Sequence, residues 1–261
     1  MRMVFVALSA VVFSSSLATQ QQTPYQLNPD ADRALLHYRR GWEAFRVEQW
    51  SEAAGEFKQV IEIDAKYKLA YYGLGRSYMG LKQFADASVA YERCRDLYEA
   101  DASEKFTTAQ EADRIRQSDL DQIHQAINTL SSRSSSGNPN ALSSTTQNQI
   151  RQLRDQAQRI QTRRDAINNN LSIASEVPSF VWLALGSSYL RATRFPDAEK
   201  AYKAAIEVDP KAGEAWNNLA ALYLFTNRID EADRAVSSAE KVGYTVNPGM
   251  KADIKKRKAG S

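Results

Sequence analysis

Apolar residues along this chain recur mainly three and four places apart, the spacing that puts side chains on one face of a helix. From Ser179 to Ala212 two such runs stand back to back: Trp182, Leu185, Gly186 and Tyr189, then Ala198, Tyr202 and Ala205. The segment ATRFPDA separates them. Pro196 is placed to open the second helix, because a first helical turn does not need the amide hydrogen that proline lacks. Asp197 and Glu199 put negative charge near that helix's positive end. The stretch predicts a helix–turn–helix unit of 34 residues.

The same unit recurs. Gly41 and Gly75, Ala53 and Ala87, and Phe57 and Tyr91 are each 34 residues apart. Residues 34–67 and 68–101 therefore form two tandem units, and 179–212 and 213–246 form two more. The fourth carries Trp216, Leu219, Ala220, Tyr223 and Ala232. Trp50, Phe84 and Phe195 repeat as an aromatic landmark between the paired helices. Gly or Ala at the eighth place, and Ala at the twentieth, let the two helices of a unit approach closely. One helix pair cannot cover its own apolar faces, so the units must stack. The first unit has His37 and Arg40 where apolar residues are usual, as suits a terminal unit with no upstream neighbour.

Residues 102–178 break the period. Leu120, Ile123, Ile127 and Leu130 predict one helix; Ile150, Leu153, Ala157, Ile160, Ile167, Leu171 and Ala174 predict a second, a heptad-like seam interrupted at Arg164. The Ser- and Asn-rich stretch near 131–147 predicts a disordered tip. Two arms of roughly 35–40 Å would form an antiparallel hairpin, expected to stack at its base between the tandem pairs with its tip projecting. Residues 19–33 predict a flexible lead-in, and 247–261 a capping C-terminal helix with a basic tail.

The pattern W-x-x-L-G-x-x-Y, then A-x-x-x-Y and a late Pro210, resembles the tetratricopeptide repeat. The resemblance covers the four units and implies an all-α fold: an α-solenoid of helix–turn–helix repeats, here with a long central helical hairpin. It implies a non-catalytic protein-interaction scaffold. In such an array the second, fifth, ninth and twelfth places of each unit line the concave face. The candidate partner-binding residues are thus Tyr38, Trp42 and Phe45, with Leu35 beside them; Leu69, Tyr72, Arg76 and Met79; Leu183, Ser187 and Leu190, with Phe180; and Asn217, Leu224 and Phe225, with Glu214 and Ala221. Some family members hold a peptide's terminal carboxylate with Lys at the fifth place and Asn at the ninth. This chain has Tyr38 and Trp42 there in the first unit, Tyr72 and Arg76 in the second. An apolar peptide or helix suits the stripe better, with Arg76 and Asn217 as polar anchors. Packing against the chain's own lead-in or hairpin is the competing use of these residues.

Composition narrows this little. The 261 residues are 43% apolar and 25% charged, with a net charge of +3. Neither that charge, nor the arginines at 151, 154, 159, 163 and 164, nor the KKRK tail argues for nucleic acid; solvated helix faces account for them. His37 and His124 fall on different predicted helices without ligand-like neighbours, and the lone Cys94 faces the core. Gly73, Gly75 and Gly80 lack the strand and Lys-Ser/Thr ending of a phosphate loop. No catalytic, metal or cofactor site is expected. Residues 1–18, with Arg2, the apolar run Met3–Phe13 and small residues up to Ala18, predict a cleaved secretory signal. A periplasmic or secreted protein follows, with no membrane span in the mature chain and a partner in the cell envelope. The alternative is an oligomeriser that self-associates through residues 102–178.

Overall fold

The computed structural model describes residues 29–103, 109–131, 144–162 and 177–259. Eleven helices and no strands occur among them. Four hairpins follow the period: α1 (Pro29–Arg46) with α2 (Trp50–Ile63), α3 (Lys68–Gly80) with α4 (Phe84–Ser103), α7 (Ser179–Arg191) with α8 (Phe195–Val208), and α9 (Gly213–Phe225) with α10 (Ile229–Lys241). Between the second and third lie α5 (Ala109–Ser131) and α6 (Ser144–Thr162), and α11 (Pro248–Ala259) ends the array. Residues 1–28, which hold the predicted signal and most of the lead-in, fall outside the described residues. The lead-in does not extend to residue 33, as its composition suggests; helix α1 starts at Pro29, with Asp30 and Asp32 favourably placed in its first turn. Likewise α6 takes up Ser144–Gln147, which composition assigns to the tip.

Each hairpin closes on the same contact. A side chain at Gly41 would meet the Phe57 ring at 2.9 Å, at Gly75 the Tyr91 ring at 2.6 Å, and at Gly186 the Tyr202 ring at 2.6 Å. In the fourth unit the corresponding pair is Ala220 and Val236, both buried: the added methyl accompanies a smaller partner. Volume is thus balanced within each unit, as close packing demands.

The turn inside each hairpin also repeats. Glu48, Lys82, Thr193 and Asn227 all adopt φ near +60°. The next residue donates its amide five places back: Gln49 to Ala44, Gln83 to Tyr78, Arg194 to Tyr189 and Arg228 to Tyr223. This is a Schellman closure, which satisfies carbonyls left over at the helix end. None of the four αL positions is glycine, and Thr193 is β-branched, so the turn holds strained residues.

The second turn decides where the central insertion begins. Asp64 and Asp209 end α2 and α8, and their carboxylates accept the amides of Lys66 and Lys211 at 2.9 and 3.1 Å. That Asx turn sends the chain straight into the next unit. The equivalent place in the second unit is Tyr98, which cannot make the turn, and α4 continues to Ser103.

The sequence predicts that the hairpin stacks at its base between the tandem pairs; in the structure α5 lies against the first two units instead. Helix α4 packs directly on α7. Ser88 and Ser188, 100 residues apart, share a buried hydrogen bond of 3.1 Å, and these small side chains let the two helices meet. Tyr189 donates its hydroxyl to Glu92 at 2.7 Å while Arg194 pairs with the same carboxylate at 3.2 Å. The α8–α9 junction uses the same donors: Tyr223 and Arg228 both reach Glu199. In both, the guanidinium sits 4.3 Å from the tyrosine ring centroid. Units two and three therefore join as if contiguous. At the far end α11 caps α10 through buried Ile254, and Lys258 pairs with Asp233 at 2.7 Å and Asp230 at 3.3 Å.

Candidate functional site

The inner stripe divides into two parts. In the first two units it is largely closed. Tyr38 and Trp42 are 0% and 3% exposed, and Leu69 and Tyr72 are also buried. The Trp42 ring meets Phe57 edge-on at 5.2 Å and Phe45 at 5.3 Å. Arg76 lies 4.6 Å from the Phe45 centroid and 5.7 Å from that of Trp42, so its cation rests on the aromatic cluster. Tyr72 packs edge-on against Phe180 of α7 at 5.0 Å. Burial raises the pKa of Glu214 on α9, and the charge of Arg76 opposes that rise. Met79 and Phe45 are half-buried.

The sequence predicts an open trough over the first two units, and for Tyr38, Trp42, Leu69 and Tyr72 this does not hold. The chain's own hairpin lies against this half. Lys68, at the start of α3, is buried between two carboxylates, 2.5 Å from Asp101 of α4 and 2.6 Å from Asp119 of α5. Burial works against the lysine charge, but the two carboxylates more than offset it, and its pKa rises. Asp119 is pushed up by burial, against the pull of Lys68. Further along α5, Gln125 accepts the Tyr67 hydroxyl at 3.0 Å, and the Thr129 carbonyl accepts from Arg46 at 3.5 Å. From α6, Gln156 donates to the Tyr98 hydroxyl at 3.4 Å. Leu120, Ile123, Leu130, Ile150, Leu153 and Ala157 are buried in the same core as Tyr38 and Leu69. The described part of the predicted inter-chain seam is thus used within the chain; Arg164, Ile167, Leu171 and Ala174 lie outside the described residues.

Over the third and fourth units the stripe stays accessible. Leu183, Ser187, Leu190, Asn217 and Leu224 are half-buried, and Phe225 is 70% exposed beside Phe195, its ring 5.2 Å away. Ser187 donates to the Leu183 carbonyl at 2.9 Å and accepts the Tyr202 hydroxyl at 3.3 Å. Asn217 donates to Asn218 at 3.3 Å, and its own amide oxygen is buried without a partner.

The remaining candidates behave as packing or surface. Cys94 is fully buried, and burial pushes its thiol pKa far up. His37 contacts Glu56 at 2.7 Å and His124 is exposed. Arg151 and Arg154 are exposed, while the side chain of Arg159 and residues 163 and 164 lie outside the described set. Among the described residues no cluster could hold a metal ion, and no helix is long and apolar enough to cross a membrane.

Sequence reasoning missed the residues that fasten the hairpin: Arg46, Tyr67, Lys68, Asp101, Asp119 and Gln125. Tyr98, standing where Asp64 and Asp209 make their turns, was the available sign that the chain leaves the array there.

The tetratricopeptide repeat family model matches residues 38–112 and 183–240, just over half of the chain. No curated protein sequence is significantly similar. Among solved structures, a thermophilic tetratricopeptide repeat protein of Thermus thermophilus, TTC0263, shares 15% identity over 87% of this chain and 99% of its own, with a TM-score of 0.29. YrrB, described as a repeat protein with an unusual peptide-binding site, shares 15% over 88% and 94%, at 0.28. The TPR2AB domain of yeast Sti1, solved with an Hsp90 element, shares 13% over 88% and 100%, at 0.27. These likenesses are too distant in shape to carry a site across. The repeats serve as generally non-catalytic platforms for protein interaction, and on the family match this chain is a protein-interaction scaffold belonging to the tetratricopeptide repeat family.

Proposed function

We propose that this protein is an exported scaffold that holds a segment of another cell-envelope polypeptide against the inner face of α7 and α9. The observation that carries the reading is the part-exposed apolar stripe Leu183, Leu190, Leu224 and Phe225. Ser187 and Asn217 lie among these side chains as polar groups able to fix a bound backbone. Burial of such side chains by a partner supplies affinity, and a central one is worth on the order of 1–2 kcal/mol. The envelope location rests on the amino-terminal sequence alone.

A photoreactive phenylalanine analogue in place of Phe225 tests the site directly. Irradiated with an envelope extract, it is expected to give a discrete covalent adduct that the double variant Leu190→Glu, Leu224→Glu loses. The same probe at Val89, exposed on the second helix of its unit, gives the background. Equal adducts at both positions would remove the inner face of α7 and α9 from consideration.

A further inference from the structure

The side of the array opposite the inner stripe repeats as well, and at one junction its chemistry changes. Trp182 of α7 and Trp216 of α9 stand at the same place in their units. Where α4 meets α7, the Arg95 guanidinium lies 5.9 Å from the Trp182 ring centroid, so the chain itself supplies that ring with a partner. Where α8 meets α9, the place of Arg95 belongs to Ile206, which is too short to do the same, and a cleft of about 270 Å³ stays open against Trp216. Ile206, Leu219 and Ala235 line it with apolar surface, and the exposed Lys203 and Arg234 stand at its rim. The Trp216 indole is fixed, donating its Nε1–H to the Pro210 carbonyl at 3.2 Å. One wall of the cleft is thus set before anything binds.

The rim charges select the occupant. Beside Trp182 the place of Lys203 is taken by an acid, Glu92, which suits the cation of Arg95. Beside Trp216 the acids are already engaged: Glu199 receives Lys203, Tyr223 and Arg228, and Glu231 receives Arg228. Arg234 has no side-chain hydrogen bond or ion pair among the described residues. A further cation would be repelled there. An aromatic ring with a carboxylate next to it gains twice, from the indole face and from the guanidinium.

We infer that this cleft, between the second helices of the last two units, is a second interaction site that seats one aromatic side chain of an acidic partner segment. The ring lies against Trp216, over Ile206 and Leu219, and a neighbouring carboxylate of the segment reaches Arg234. One anchoring ring fills the space, as a central aromatic does at many interfaces. The cleft lies on the opposite side of α9 from Asn217 and Leu224, so both surfaces can be occupied at once.

The full chain, grown with fluorine-labelled tryptophan, tests this by magnetic resonance, with each tryptophan signal assigned by single replacement. The probe is the capped peptide acetyl-Glu-Phe-Glu-amide. It is expected to move the Trp216 signal saturably and to leave that of Trp182 in place. Exchanging the peptide's Phe for Ala, or both Glu for Lys, is expected to weaken binding roughly tenfold. In the protein, Ile206→Arg copies the Arg95 arrangement into the cleft and should abolish the response. Arg234→Gln, on an exposed side chain, should weaken binding about three- to fivefold, and it decides the matter should Ile206→Arg not fold. A Trp216 signal that never moves, equal binding of the Lys-flanked peptide, or undiminished binding by Arg234→Gln overturns the proposal. The double variant Leu190→Glu, Leu224→Glu is expected to leave every one of these readings unchanged, so failure of the inner face and failure of the cleft are told apart.

Discussion

The two halves of the array share one construction and differ in what lies on them. Each unit closes a small residue over a large one and turns through an αL residue. Yet Tyr38 and Trp42 are sealed, while Phe225, on the same helical face three units later, is 70% exposed. The repeat pattern therefore dictates which side chains face inward and says nothing about whether they remain free. The covering hairpin decides that, and the polar residues that fasten it belong to no repeat pattern.

Removing the fastening should have the largest effect. Lys68→Met leaves Asp101 and Asp119 buried together without a cation, and a loss of about 3–5 kcal/mol is expected by urea unfolding. The matching change in the open half, Arg228→Met, acts on a more exposed ion pair and should cost about 1 kcal/mol. Equal losses would show that the first half owes nothing special to the hairpin.

Packing inside the units should, by contrast, respond alike in both halves. Gly75→Ala and Gly186→Ala each drive a methyl into a tyrosine ring at 2.6 Å and are expected to cost about 1–3 kcal/mol in thermal unfolding. A large disparity between them would mean that one hairpin repacks where the other does not.

A smaller effect, at the α8–α9 junction, depends on pH. Arg228, with help from Lys203 and Tyr223, holds the Glu199 carboxyl near a pKa of about 2, below its ordinary 4.5. A lowered folded-state pKa stabilises the protein above the ordinary value, and that contribution fades as pH falls through the folded one. Glu199→Gln should therefore cost about 1 kcal/mol at neutral pH and flatten the loss of stability between roughly pH 4.5 and 2. Urea titrations of both proteins across that range would read it.

The smallest change is a gain. Thr193→Gly relieves a β-branched residue at positive φ, and after the extra chain entropy of glycine a net stabilisation of about 0.5 kcal/mol is expected. Asn227→Gly, at the same place in the next unit, starts from a residue that tolerates that conformation and should change the melting temperature little.

Much of the fold was legible because its determinants are local and repeated. The Gly–ring pairs of the first three units, the αL turns and the helix starts after α1 recur at one period, and each is fixed by sterics within a single unit. The course of the hairpin was not legible. Its seam shows only that α5 and α6 have an apolar stripe, and a stripe does not name the surface it covers. That depends on single contacts between residues far apart in the chain, such as Asp119 with Lys68 or Ser88 with Ser188. Of the candidate inner-face residues, the resemblance to the repeat family implied an open stripe that includes Tyr38, Trp42, Leu69 and Tyr72, and all four are buried. Their burial required a long-range partner that spacing cannot reveal.

The direct meeting of α4 and α7 makes residues 103 and 177 a splice point. Chain ends already held in place by neighbouring helices can accept foreign sequence between them cheaply, since each doubling of a flexible connection costs only about 0.6 kcal/mol. Lineages, or protein engineers, could lengthen the segment carried there beyond α5 and α6 without disturbing the contacts by which α4 meets α7.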